Sequence, residues 1–369
     1  MKNTKRLYAI LMVVTLLVFN TVASVTAYAS EDEKICADNL QEESIVSPEF
    51  SSTYTPSQYL DVHNLDNSGY PQVMKSEEIE EFLKTASPVP VPKPTAQTFS
   101  TSVHNGSYSH DVETGTTTFE PFEFTSSRCT EKESPGYFPN DYILIPEPRG
   151  IIDGDNRVKI SNTTVGPWCN TVKLIIVAGN GANYIGSGFM IGPNSVATAG
   201  HCLYNSETGG WAKSITVIPA LNGSYQPYGS ASSYDFICGG NWVNSNDNQD
   251  DWGIIRIKAN LGYSTGWLGL RWQSSSYNDE SVYAVGYPGE DDSHMYYGPG
   301  TVTSSSDRTL VGNWDLTGGQ SGGPVHKYYS STGYTAIGIN RGGGSTYSDC
   351  LRIDEWLFNK FMSYRTLSY

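Results

Sequence analysis

Three stretches of this 369-residue chain hold the residue types that acyl transfer needs. Asp315-Leu316-Thr317-Gly318-Gly319-Gln320-Ser321-Gly322-Gly323-Pro324-Val325 wraps four glycines and a proline around one serine, Ser321. A serine hydroxyl is a poor nucleophile until a base takes its proton, and the base works best when a carboxylate fixes its tautomer and stabilises its cation. After Arg149 the imidazoles are His201, His294 and His326. His201 ends the small-residue strand Val196-Ala197-Thr198-Ala199-Gly200, which would hold a ring against a wall, whereas His294 in an acidic loop and His326 on a strand read as surface residues. Asp251, at the mouth of the apolar strand Gly253–Ile257, is the expected orienting acid; Asp250 should point to the opposite side by strand alternation. The glycines beside Ser321 permit a turn tight enough for the N–H groups of Gly319 and Ser321 to face a developing oxyanion. Alone, such a turn is as readily a loop as a site. Behind His201 and Asp251 it predicts a nucleophile.

The elements that would position these residues are short β-rich runs after Arg149, separated by Gly, Pro, Asn and Ser clusters: 172–177, 187–191, 215–218, 253–257, 282–285 and 334–339. They predict an all-β domain of barrels or sandwiches over residues 150–369. A single clear helix follows, with Asp354 as cap, Glu355 in the first turn, and Trp356, Leu357, Phe361 and Tyr364 on one face for docking on the barrel. Before it all, Lys2, Lys5 and Arg6 precede an apolar run from Leu7 to Phe19 and the small-residue site Ala27-Tyr28-Ala29, so residues 1–29 read as a signal peptide and the chain as exported. No later segment reaches the roughly 20 apolar residues of a membrane span. Residues 30–149 read as an acidic propeptide, with one short helix over Ser76–Lys84 capped by Ser76. The run Ser87-Pro88-Val89-Pro90-Val91-Pro92-Lys93-Pro94 should be an extended, semi-rigid spacer. The segment ends at Arg149-Gly150-Ile151-Ile152, an exposed-looking basic cleavage site whose new terminus would settle into the fold.

The net charge of −15 sits mostly in that middle segment, with 21 acidic against 7 basic residues in 30–149. No block of Lys and Arg offers a footprint for phosphate backbones, so nucleic acid is not an expected partner. Nothing calls for a cofactor or metal. The stretch Asp247–Gly253 lacks the glutamate of a calcium loop, and the zinc-type C-x-x-C spacing is missing. Cys36 and Cys129 precede residue 150, and Cys169, Cys202, Cys238 and Cys350 follow it, so export makes disulfides plausible with the pairing open. The processed protein is expected to be a monomer.

Thr198-Ala199-Gly200-His201-Cys202, Asp251-Trp252-Gly253-Ile254-Ile255 and Gly318–Pro324 stand in the order His, Asp, Ser of the trypsin-like serine proteases. With Asp155-Asn156-Arg157, Met190-Ile191-Gly192-Pro193 and Gly286-Tyr287-Pro288-Gly289, the chain resembles the bacterial glutamyl endopeptidases over roughly residues 150–362. The resemblance implies two perpendicular six-stranded antiparallel β-barrels with the cleft between them, a propeptide removed on maturation by an activating protease, and hydrolysis of protein or peptide substrates. By that likeness His201 is general base and then acid, Asp251 orients it, Ser321 forms the acyl-enzyme, and Gly319 and Ser321 line the oxyanion hole. The family recognises glutamate with a threonine shortly before the nucleophile, which Thr317 matches, and a later histidine, which Asn340 replaces. An amide cannot charge, so acidic selectivity should weaken unless Arg341 reaches the pocket; Arg341 otherwise reads as a solvated strand-edge charge. The strand before His201 has no cysteine to bridge Cys202, and Cys202 as a second nucleophile is disfavoured because neighbours on a strand face opposite ways. The competing reading is a protease-like binding or adhesion protein without turnover.

Overall fold

Thr171–Val177 (β1) is apolar on both sides of its pleat except at Thr171 and Lys173, and nearly all of it is buried. Val172, Leu174 and Ile176 join one core with Phe189, Val196 and Ile254, while Ile175 points the other way, to Tyr283, Val285 and Tyr287. A strand with two buried faces needs no polar alternation. The computed structural model describes residues 72–93, 105–122, 129–139, 154–344 and 346–366. The expected signal peptide, Cys36 and the Arg149–Gly150 junction lie outside the described residues.

Five more strands complete the first ring: β2 (Asn183–Met190), β3 (Ser195–Thr198), β4 (Ser214–Pro219), β5 (Ala231–Gly239) and β6 (Gly253–Ile257). Their order is β4-β1-β2-β3-β6-β5, and β5 pairs back on β4. The second ring is built from β7 (Ser281–Gly286), β8 (Tyr296–Ser305), β9 (Thr309–Gly312), β10 (Pro324–Tyr329), β11 (Gly333–Gly343) and β12 (Ser348–Arg352). It runs β10-β7-β8-β9-β12-β11 and closes through β10–β11. Both are therefore closed six-stranded antiparallel barrels, although stretches of the longer strands, such as Tyr184–Ile185 of β2, keep an edge outside the ring pairing. β1 and β7 meet where they touch, through Ile175 and Tyr283.

The C-terminal helix Glu355–Arg365 starts where Asp354 Oδ1 accepts the Leu357 N–H at 2.8 Å, a cap that contributes about 1 kcal/mol. Trp356 and Phe361 are buried and stand edge-on to Trp252, with ring centroids 5.2 and 6.4 Å away. The helix thus braces the residue next to Asp251.

Three expectations about the segments before residue 150 and the cysteines need correction. The short helix spans Ser76–Leu83, but Lys75 rather than Ser76 is its cap, because Lys75 is the residue with extended backbone and the Glu78 side chain closes on its N–H. The proline run is not a free spacer: Ser87–Pro88 forms a strand parallel to β2, with Ser87 opposite Tyr184 and Pro88 opposite Ile185. Further strands of this region join both barrels, Gly106–Asp111 beside β5 and Glu131–Ser134 beside Gly269–Gln273. Finally, the expected disulfides leave out Cys169, Cys202, Cys238 and Cys350, which are all buried and free, whereas Cys129 is disulfide-bonded.

Candidate active site

β3 ends at Thr198, and Gly200–Cys202 forms a single 3-10 turn that carries His201. Gly200 allows a close approach, since a Cβ there would lie 3.0 Å from the Trp252 carbonyl and 3.1 Å from Asp251 Oδ1. Asp251 follows another 3-10 turn, Asn248–Asp250, just before β6. Its Oδ1 accepts the His201 backbone N–H and its Oδ2 faces His201 Nδ1, both at 2.8 Å, with neither side chain exposed. This geometry fixes the tautomer: Nδ1 carries a proton to the carboxylate and Nε2 keeps its lone pair. Nε2 has no hydrogen-bond partner among the described residues. Asp250 turns elsewhere, accepting from Trp252 Nε1 at 2.8 Å and from the Asn241 N–H at 2.9 Å.

Ser321 comes from the second barrel, on the turn before β10. Gly319 and Gly322 have φ of 96° and 85°, and a Cβ on Gly322 would overlap Thr198 Oγ1 and the Ser187 carbonyl at 2.1 and 2.2 Å. Only glycine fits there. The Ser321 carbonyl accepts the Ser187 N–H at 2.8 Å and the Gly319 carbonyl accepts Ser187 Oγ at 2.8 Å, so β2 of one barrel pins the serine turn of the other. With both carbonyls held on that side, the N–H groups of Gly319 and Ser321 donate to no acceptor among the described residues. Ser321 Oγ itself donates to the Arg341 carbonyl at 3.1 Å.

The remaining sequence candidates are placed differently from one another. Thr317 is half-buried, and its hydroxyl donates to Glu290 at 2.8 Å while accepting from Arg157 at 2.7 Å. Asn340 is fully buried on β11, with Nδ2 3.4 Å from the Val285 carbonyl and Oδ1 unpartnered. No hydrogen bond joins Asn340 to Thr317. Arg341 is not a solvated edge charge: it is 6% exposed at a bulge between β11 and β12, and its guanidinium is taken by Asn248, Thr309 and Asp349. The bulge turns the side chain across the strands rather than towards Thr317.

His294 stays on its loop, paired with Asp291. His326 is not a surface residue; it is buried among Trp168, Tyr283 and Tyr334, and burial pushes its pKa down to about 3. Cys202 lies on the 3-10 turn rather than on a strand, so alternation does not govern it. Burial pushes its thiol up to about 12, which leaves no thiolate to compete with Ser321.

Sequence reasoning passed over three residues that hold the site. Ser187 is one. Gln320 is fully buried and its Oε1 accepts from the Thr317 N–H at 2.9 Å. Arg157 donates to Thr317 and, at 3.2 Å, to Gln320 Oε1, and pairs with Glu290 at 2.6 Å. Arg157 stood in the family-like triplet, but its spacing from Ser321 gave no local signal that the two segments meet.

A trypsin-like serine protease is the class that these two barrels and the groups between them define, and residues 186–331 match the family described as the trypsin-like peptidase domain. The extracellular metalloprotease of Bacillus subtilis (strain 168) is 39% identical over 216 residues, covering 58% of this chain and 69% of that protein. The glutamyl endopeptidase of Bacillus licheniformis is 32% identical over 245 residues, covering 64% of this chain and 73% of that protein. Among solved structures, a Glu endopeptidase in complex with MPD superposes with a TM-score of 0.51 at 24% identity, over 58% of this chain and 98% of that one, a likeness of fold. The chain belongs to the glutamyl endopeptidase family and is a serine endopeptidase acting on protein or peptide substrates.

Proposed function

We propose that the chain is an exported precursor whose residues 150–369 hydrolyse peptide bonds through His201, Asp251 and Ser321. The observation that carries this reading is the set of groups left without partners. Asp251 spends both oxygens on His201, while His201 Nε2 and the N–H groups of Gly319 and Ser321 remain available. In the reaction Ser321 turns its Oγ from the Arg341 carbonyl to Nε2, which takes the proton as Oγ attacks the substrate carbonyl carbon. The carbonyl oxygen becomes an oxyanion facing Gly319 and Ser321, and His201 then delivers its proton to the leaving amine. Water repeats the sequence on the acyl-enzyme and frees the acid. A serine-directed phosphonate should label Ser321, whereas a binding protein without turnover would stay unlabelled.

Export is supported by the basic, apolar and small-residue order of residues 1–29 and by a relative named as extracellular. Processing is placed after Arg149, which separates the acidic segment from the barrels. N-terminal sequencing of the protein recovered from the medium should read Gly150-Ile151-Ile152, and a start far from residue 150 would count against this junction.

The preference is for glutamate, and less for aspartate, before the cut bond. It is supported by a relative named glutamyl endopeptidase and by Thr317, whose hydroxyl with Arg157 already holds one carboxylate, that of Glu290. Asn340 brings no charge to β11 and Arg341 is committed elsewhere, so the preference should be shallow. Digestion of a peptide library should show cuts enriched after Glu, and Asn340→His should steepen that enrichment. Cuts spread evenly over residue types would remove acidic selectivity from the reading.

A further inference from the structure

The catalytic groups are covered. His201 is 1% exposed and Ser321 6%, although a peptide must reach both. What lies over them comes from the acidic segment. Ser87 and Pro88 run parallel to Tyr184 and Ile185 of β2, and the Val89 N–H donates to the Ile185 carbonyl at 3.2 Å. Val89 is 7% exposed and shares a small cavity with Tyr184, His201, Cys202 and Asn205. The Pro88 ring lies against the glycines beside the nucleophile, where a Cβ on Gly318 or Gly289 would approach it to 2.9 or 2.8 Å. Three amides hold the strand along its length: Asn183 donates to Thr85 Oγ1 at 2.8 Å, Asn205 to the Pro90 carbonyl at 2.8 Å and Asn246 to the Lys93 carbonyl at 3.4 Å.

We propose that Ser87–Pro92 is a built-in inhibitor strand, filling the groove between His201 and Gly318 until the segment leaves. The inference rests on the hydrolase reading above. Alternating prolines suit the task because they are already extended before binding, so little chain entropy is lost on docking. The stretch 85–93 contains no Asp or Glu, which makes it a poor substrate for an acid-selective protease. Anchors flank it on either side. Ile79 of the preceding helix is buried in the core that holds Tyr283 and Tyr287, and Gly106–Asp111 adds a strand to β5. With the His201–Asp251 pair already made in the uncut chain, the cover is what stands between a peptide and His201.

The test compares full-length chains, shown uncut by mass spectrometry, for their rate of labelling by a small serine-directed phosphonate. Val89→Asp, which places a carboxylate in a buried position beside β2, should speed labelling of the uncut chain at least tenfold, and Val89→Gly should act in the same direction. Val91→Asp should leave the rate unchanged, since Val91 is 42% exposed. Adding a synthetic peptide of residues 85–93 should slow labelling of the Val89→Asp chain again. Equal rates for the parent and both Val89 variants would overturn the inhibitor strand while leaving the hydrolase reading intact. An absence of labelling in every chain, before and after cleavage at Arg149–Gly150, would overturn both.

Discussion

Ser321→Ala is expected to abolish casein hydrolysis by the processed protein, a loss of about 10⁶-fold in kcat if Ser321 works as a unit with its base. The alternative cause, unfolding, is small here. The hydroxyl makes one hydrogen bond among the described residues, to the Arg341 carbonyl, and losing such a bond costs about 1 kcal/mol, whereas the turn is held by glycines and by Ser187 through backbone carbonyls. Thermal unfolding of the variant should therefore stay close to that of the parent while phosphonate labelling disappears. Any activity left should reflect what Gly319 and Ser321 N–H groups and substrate binding supply without a nucleophile, about 10³–10⁴-fold over water. Undiminished hydrolysis would sink the assignment of the nucleophile.

Asp251→Asn should lower kcat by about 10⁴-fold with KM little changed. Asp251 accepts two hydrogen bonds, one from the His201 backbone and one from its ring, at 2.8 Å each. An asparagine has one carbonyl oxygen and one NH₂. If the oxygen stays with the backbone N–H, the NH₂ faces Nδ1 and forces it to be the acceptor. The ring proton then sits on Nε2, where it cannot receive the proton of Ser321. The shape of the site is kept and its base is lost. A crystal structure or proton NMR of the variant would show the imidazole in place with the wrong tautomer, and a drop in kcat of less than tenfold would mean that another group orients His201.

Much of the architecture was legible because it is written in short-range pattern. The β-rich runs, the turn residues between them, the capped aromatic helix and the order His201, Asp251, Ser321 all appear within windows of about ten residues. Asp250 and Asp251 do turn opposite ways, Asp250 to Trp252 and Asp251 to His201, but they stand at the 3-10 turn Asn248–Asp250 ahead of the strand, so the turn rather than alternation parts them. Alternation fails where a residue leaves the strand. Arg341 sits on a bulge and Cys202 on a 3-10 turn, so neither obeys it.

Burial by a distant neighbour is the second thing that local pattern does not carry. Lys173 interrupts an apolar run and would be sent to solvent by its period, yet it is fully buried over the Tyr287 ring of the other barrel, where burial pulls its pKa down to about 7. His326 reads as a surface residue for the same reason, yet three aromatic rings from separate segments enclose it. Arg157 and Ser187 are ordinary polar residues until folding sets them against a turn more than 130 residues away.

The sequence by itself determined the kind of protein, because catalytic residue types, turn-forming glycines and strand periodicity are local properties that any fold must respect. Only the tertiary structure decided what covers the site and what holds it. The Ser87–Pro92 run reads as a spacer from its backbone stiffness, yet Ser87–Pro88 becomes a strand because β2 offers it an edge and Gly318 leaves room for Pro88. Stiffness belongs to the segment, whereas the partner that uses it is set by contacts between residues about a hundred or more positions apart.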